Sequence, residues 1–268
     1  QDITPAMNGA ETLQAVYFAD SGLGRVLLAD GLSFSLLATT DGGHTWQRPA
    51  LDLAGLADSP AAPASAFMGW LNQDDGWLVI KLATGSSFSR GMLFVTQDGG
   101  LSWPARPIPI GEAAAFASDS EVWTAGGAAG DELYHSNDGG QSWELLQPAG
   151  VGAHYLLPRF DDPQTGLLPV VASEGDSTRA DFYRTTDGGL TWSLVASQPL
   201  MSDTAIGTDL SLSMLDSANF VLSVQGSDQL LRSMDLQPEN LANTDGNSTA
   251  ISQLQMASLD DGWARADS

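Results

Sequence analysis

Carboxylates are the chemistry this sequence has in excess. Its 268 residues carry 33 Asp and Glu against 10 Lys and Arg, a formal charge of −23. Two carboxylates held about 5–9 Å apart can hydrolyse a glycosidic bond, but with so many acids a neighbouring pair such as Asp161/Asp162 is uninformative. Nine arginines suffice for a guanidinium cluster around an anionic substrate. His44, His135 and His154 are scattered, and His44 and His135 are expected at the surface. With no Cys, thiolate nucleophiles, thiolate metal sites and disulfides are excluded. H-x-x-x-H, G-x-S-x-G and a Gly-rich loop opening a helix are all missing, which argues against zinc proteases, α/β-hydrolases and P-loop or dinucleotide enzymes. No catalytic, cofactor-binding or metal residue is assigned, and no cofactor is expected.

The elements that must position any site are announced by repetition. TTDGGHTW (39–46), TQDGGLSW (96–103), SNDGGQSW (136–143) and TTDGGLTW (185–192) share one pattern of hydroxyl, Asp, Gly, Gly, hydroxyl and Trp. LLRSMD (230–235) keeps Ser233 and Asp235 and reads as a decayed fifth copy. Upstream of the boxes runs a second motif: FADSGLGRVLLA (18–29), GWLNQDDGWLV (69–79), FASDSEVWTAG (116–126), FDDPQTGLLPV (160–170), MLDSANFVLSV (214–224) and MASLDDGWARA (256–266). Each unit holds four short strands divided by turn residues, and no stretch sustains helical periodicity. Four-stranded units of 40–50 residues predict an all-β chain of β-propeller blades.

In each box the Asp-Gly pair supplies the positive φ of a tight hairpin. The Asp carboxylate and flanking hydroxyls can satisfy the turn's own amides. Asp41, Asp98, Asp138 and Asp187 are therefore expected to be structural, and Trp46, Trp103, Trp143 and Trp192 to wedge between neighbouring blades. D-x-G lacks the further oxygens of a calcium loop. Asp20, Asp74/Asp75, Asp119, Asp161/Asp162, Asp216 and Asp260/Asp261 are expected as formers of the first-to-second-strand turns, at the same end as the boxes.

The other end carries the variable loops, and binding residues concentrate on loops held by a rigid scaffold. Arg90, His154, Tyr155, Arg159, Glu174 and Asp176 are the candidates there for a ligand or partner face.

S/T-x-D-x-G-x-T/S-W is the Asp-box, or bacterial neuraminidase repeat. With the upstream Asp-x-Gly-Trp strand, the chain resembles photosystem II assembly and stability factors and related bacterial propellers. The resemblance covers residues 14–268, with 1–13 a lead-in or closing strand. It implies seven blades, of which the sequence supplies about five and the start of a sixth. It also implies a non-enzymatic scaffold that binds a protein partner. The alternative is a carbohydrate-active enzyme or glycan-binding module. A sialidase would need three converging arginines, a Tyr nucleophile and an acid/base Asp, and GRVLLAD (24–30) stands where that family has Arg-Ile-Pro. Xyloglucanases of this class place the cleft between two propellers, which one partial propeller does not form.

Few cations are available for a polyanion, so nucleic acid is not an expected partner. No apolar run of bilayer length occurs, so no membrane insertion is expected. The acidic, Lys-poor, Cys-free composition suggests an exported bacterial protein. The opening residues lack a basic-then-apolar leader, so any signal peptide is expected to have been removed or never present.

Overall fold

The computed structural model describes residues 5–31, 33–53, 55–56, 61–85, 88–174, 177–200, 210–214, 219–224, 229–232, 238–240, 251–256 and 262–266. Every regular element among them is a strand, and all pairings are antiparallel. The chain divides into two compact units, Gln1–Leu146 and Gln147–Ser268.

The first unit holds three sheets. β1 (Thr12–Phe18), β2 (Gly24–Asp30) and β3 (Ser33–Thr39) form the first, with an Ala38–Gln47 bridge in place of a fourth strand. The second runs β4 (Pro63–Trp70), β5 (Gly76–Leu82), β6 (Arg90–Thr96) and β7 (Ala105–Arg106). The third runs β8 (Ala114–Phe116), β9 (Val122–Gly126), β10 (Glu132–Ser136) and β11 (Glu144–Leu146).

In the second unit, β12 (His154–Tyr155) and β13 (Arg159–Phe160) both pair with β14 (Gly166–Glu174), followed by β15 (Ser177–Thr185) and β16 (Ser193–Pro199). Another four-stranded sheet comprises β17 (Leu210–Met214), β18 (Phe220–Val224), β19 (Gln229–Arg232) and β20 (Pro238–Asn240). β21 (Ile251–Met256) and β22 (Gly262–Ala266) pair as a hairpin. These are β-propeller blades, strand order matching chain order. The decayed box at Ser233 and Asp235, and the turn residues Asp216, Asp260 and Asp261, lie outside the described residues.

The second strand of a blade must be apolar on both faces, because sheets cover it on both sides. β5 shows this: Leu78, Val79 and Ile80 are successive residues at 1 %, 0 % and 0 % exposure. Leu78 and Ile80 join Leu27 and Leu36 of the first blade, while Val79 joins Ala114, Phe116 and Val122 of the third. Alternation along one strand thus supplies two seams, and full burial of such a side chain stabilises by about 1.5–3 kcal/mol.

The glycine opening the second strand is explained by a ring. Phe18 pairs with Gly24, Trp70 with Gly76 and Phe160 with Gly166. A Cβ on those glycines would lie 2.5, 2.5 and 2.7 Å from the respective ring. The same rings meet the box indoles edge-on: Phe18–Trp46 at 6.3 Å, Trp70–Trp103 at 5.8 Å and Phe160–Trp192 at 6.1 Å. The third blade has Val122 opposite Phe116, leaving no bare backbone for the ring. Phe116 instead stacks on Trp77 of the second blade at 4.6 Å, and Trp77 Nε1 donates to Ala114 O at 2.9 Å.

Trp103 is buried among residues of the first two blades, and Trp143 packs partly buried against a cluster of Val79, Leu93 and Val95 of the second blade with Ala114, Phe116 and Val122 of the third, its Nε1 donating to Pro107 O at 2.9 Å. Trp46 packs on Val26, Leu28 and Leu37 of its own blade. The wedge between blades expected of all four indoles is therefore seen at Trp103 and Trp143, while Trp46 and Trp192 meet the first-strand ring of their own blade.

Each box is one hydrogen-bonded knot. The buried hydroxyls of Thr39, Thr96, Ser136 and Thr185 donate to the box carboxylates at 2.8, 2.7, 2.8 and 2.8 Å. They accept from the second box glycine at 2.9, 2.9, 2.7 and 2.8 Å. The first box glycine donates to the turn between strands one and two, as in Gly99 N to Asp74 O at 3.0 Å, which fixes both turns at one end of the blade.

That first turn corrects one expectation. Asp20 and Asp162 accept turn amides as expected, but in the second and third blades Asn72 and Ser118 do so rather than Asp74/Asp75 or Asp119. The acceptor must sit two residues past the ring, ahead of the amides it receives, and those positions hold Asn and Ser.

The knots predict an acid limit. Asp41 is held at about 2 by the Thr45 amide, then the Thr45 and Thr39 hydroxyls, and Asp98 at about 2 chiefly by Ser102. Asp138 and Asp187 are lowered in the same way, first by the Ser142 and Thr191 hydroxyls. Folded values below the unfolded one mean that the stabilisation is complete above about pH 4 and lost as pH falls through 2. Thermal melts should show the midpoint dropping across that window, and the drop should shrink in a D98N/D138N variant.

Candidate functional site

The end of the blades opposite the boxes carries the turns between strands two and three and the connectors between blades. In the first unit residues from three such connections meet: Ser89, Gly111 with Glu112, and Gly126 with Gly127. Lys81, the chain's only lysine, sits on β5 and places Nζ 2.6 Å from Glu112 Oε1. Ser89 Oγ donates to the same oxygen at 2.6 Å and accepts from Gly111 N at 3.1 Å. Glu112 is thus held from two sides, one of them cationic.

A second carboxylate lies across a glycine pair. Gly126 and Gly127 have φ of 122° and 82°, conformations disfavoured for other residues. A Cβ on Gly126 would stand 3.2 Å from Glu112 Cγ, and one on Gly127 would collide with Glu132 Oε2. Bare backbone therefore separates the two acids. Burial, then the charge of Asp131, raises the Glu132 pKa. Burial, then Glu132, raises that of Tyr134 on the same strand.

One carboxylate faces a cation and the other is pushed towards its protonated form. Such divergent settings separate a proton donor from a base or nucleophile. Phe88 is 73 % exposed, its carbonyl accepting from Thr84 Oγ1 at 2.7 Å. A solvent-facing aromatic ring, one residue before the Ser89 that bonds Glu112, offers a flat apolar surface at this end. Among the described residues no group of three or more His, Cys, Asp or Glu is arranged to hold a metal ion.

Of the residues singled out in the sequence, Arg90 belongs here. It is exposed at the start of β6, and its carbonyl is packed against Gly111. The others belong to the second unit. Tyr155 is 4 % exposed, and its phenol accepts from Ala149 N at 3.3 Å and donates to Gly150 O at 3.2 Å, bracing the turn before it. His154 is half-buried and Arg159 exposed. Glu174 ends β14 with its side chain outside the described residues, as is all of Asp176. His135, expected at the surface, is half-buried, stacked on Trp123 at 4.2 Å and 2.6 Å from Glu121.

Lys81, Phe88, Glu112 and Glu132 were not singled out. One signal was available: the sole lysine of an acidic chain, set within the apolar strand WLVIKL (77–82).

Residues 134–145 and 183–194 match the BNR/Asp-box repeat. An oligoxyloglucan-reducing end-specific xyloglucanase of Emericella nidulans is 28 % identical over 172 residues, 58 % of this chain and 18 % of that protein. A probable enzyme of the same description from Neosartorya fischeri is 30 % identical over 122 residues, 41 % of this chain and 15 % of that protein. The chain thus spans less than a fifth of the curated relatives it matches. Among solved structures, an uncharacterized protein of Listeria monocytogenes EGD-e aligns with a TM-score of 0.55 at 11 % identity, covering 91 % of this chain and 72 % of that one. At that identity the likeness speaks for fold alone.

These relatives overturn the expectation of a non-enzymatic protein. Both curated matches are xyloglucanases. The physical reason for the error is that the Asp-box knots spend their carboxylates on their own turns, so the most visible acids in the sequence are the chemically inert ones.

Proposed function

We propose that this chain is a segment of a glycan-acting enzyme of the xyloglucanase kind, and that the loop end of the second and third blades meets the sugar. Support comes from the two relatives, and the observation that carries the reading is the Glu112/Glu132 pair flanking Gly126–Gly127. In this reading Glu132 protonates the leaving oxygen, Glu112 acts as base or nucleophile with Lys81 and Ser89 fixing its position, and Phe88 stacks on a sugar face. A polysaccharide substrate lies outside the cytoplasm, so export belongs to the same proposal. So does the assignment of residues 14–268 to one propeller.

An assembly scaffold with a protein partner rests on the box repeat, which both readings share. Calorimetry separates them. Xyloglucan oligosaccharides should bind the 268-residue chain, and Phe88→Ala should weaken binding about tenfold. No binding, or binding indifferent to Phe88, would overturn the glycan reading.

A further inference from the structure

A cleft of ≈ 300 Å³ opens at the box end of the first two blades. Its walls come from both box turns: Thr40 and Thr45 of the first, Gly99 and Leu101 of the second, with Arg25, Gln47 and Arg48 between them. None of its lining residues is acidic, although the chain carries a charge of −23. We infer that this cleft is a binding site for a single acidic sugar, a uronate, separate from the loop-end carboxylates.

Two guanidiniums bring the positive charge to the cleft. Arg48 is gripped by Glu11 through two bonds, Nη1–Oε1 at 2.5 Å and Nη2–Oε2 at 3.1 Å. A guanidinium has five N–H donors, so three remain once this fork is made. Arg25 lies over the Trp70 ring at 5.0 Å and gives Nη1 to Gly24 O at 3.1 Å. Its Nε is buried without a hydrogen-bond partner among the described residues. Both arginines are therefore fixed in place; Arg48 keeps three N–H donors, and Arg25, on which the Asp74 charge also acts, keeps those of its Nη groups that Gly24 O does not take. Fixed guanidiniums are suited to a carboxylate, whose two oxygens match their planar fork.

The two box carboxylates beside the cleft are taken up by their own turns, Asp98 by Leu101 N, Ser102 N and Ser102 Oγ at 3.0, 2.9 and 2.6 Å. Asp41 Oδ1 accepts from Thr39 Oγ1 at 2.8 Å and Thr45 N at 2.9 Å, and Oδ2 from Thr45 Oγ1 at 2.7 Å. The rest of the lining suits the ring that bears the ligand's charge. Thr40, Thr45 and Gln47 bring hydroxyl and amide groups, and Gln47 is pinned by paired backbone bonds to Ala38, both at 2.8 Å. Leu101, 78 % exposed, and Pro49 form an apolar wall. The volume is at the lower end of the range for small-molecule sites, about 300–1,000 Å³.

The test is calorimetry and ligand-observed NMR on the 268-residue chain with glucuronate, glucose and acetate as probes. Glucuronate should bind in a salt-sensitive manner, with glucose and acetate at least about tenfold weaker. Arg48→Gln, on the exposed rim, should weaken glucuronate about tenfold while circular dichroism and xyloglucan-oligosaccharide binding stay unchanged. Arg25→Gln should act likewise, with Arg25→Lys as the variant that keeps charge over Trp70. Glu112→Gln, at the far end, should leave glucuronate binding intact, so failure of the loop-end reading and failure of this one are told apart. Equal binding of glucose would remove the charge argument, and equal binding of acetate would remove the sugar. No glucuronate binding, or an Arg48→Gln variant that binds as well as the parent, would overturn the site altogether.

Discussion

Trp103→Ala should cost about 3–5 kcal/mol of stability, read as a fall in the denaturant midpoint at unchanged slope. The indole is 3 % exposed and packs with Leu27 and Leu36 of the first blade as well as Trp70, Leu78, Ile80 and Phe94 of its own. It meets Trp70 edge-on at 84° and donates Nε1 to Gly100 O at 3.0 Å, inside its own box. Removing it empties a seam and unpins the turn that delivered it. The surrounding side chains are held by two sheets and have little room to collapse, which places the cost towards the upper part of the range. Leu101, two residues away, is the internal control. At 78 % exposure, Leu101→Ser should fall within about ±0.5 kcal/mol. Equal effects at the two positions would show that the seam does not depend on the indole.

The contrast also shows what a box reveals in sequence. Residues that repeat because geometry demands them were legible: the Asp-Gly-Gly turn, the hydroxyls that knot it, the strands on either side. Each satisfies a local requirement within eight residues. The strand-opening glycine was legible as a motif, though its reason, a ring lying on it, needed the register of Phe18 with Gly24 and Trp70 with Gly76. Where Val122 replaces that glycine, the ring of Phe116 leaves its blade for Trp77, and no local pattern announces it. Turn formers were misplaced for a related reason. Asp is the commoner acceptor, so Asp74, Asp75 and Asp119 drew attention away from Asn72 and Ser118, which occupy the position the amides need.

The candidate site was nearly illegible because its members meet between blades. Lys81 and Glu112 are 31 positions apart and Ser89 and Glu112 are 23 apart, with Lys81 on β5, Ser89 in the turn that follows it and Glu112 on the connector to the next blade. Only the common end of the blades brings them together, and the sequence reading chose Arg90 and five residues of the second unit there instead. Arg90 was selected for its loop position, while its neighbour Ser89 makes the bond to Glu112. Among 33 acids, composition could not distinguish Glu132, whose setting depends on Asp131, Tyr134 and the glycine pair.

On the proposal that this chain is a segment of a glycan-acting enzyme, Glu132→Gln should lower hydrolysis of xyloglucan oligosaccharides by about 10²–10⁴-fold with binding nearly unchanged, the loss expected when a general acid is removed. Gln keeps the shape and removes the proton. The pH profile gives the more demanding readout. Burial raises the pKa of Glu132, so the donor form persists above the usual carboxylate range and activity falls as pH rises through the raised value. The variant should lose that alkaline limb. The same shift bears on folding with the opposite sign to the box aspartates. A raised folded value means that the protonated side chain favours the native state, and this contribution is lost as pH rises, whereas the boxes lose theirs as pH falls. Glu112→Gln should lower turnover comparably but leave the alkaline limb in place, because Lys81 and Ser89 act on Glu112 and not on the donor. If Glu132→Gln retains full turnover and the parent's alkaline limb, the donor lies elsewhere and the carboxylate pair is a structural feature of the loop end.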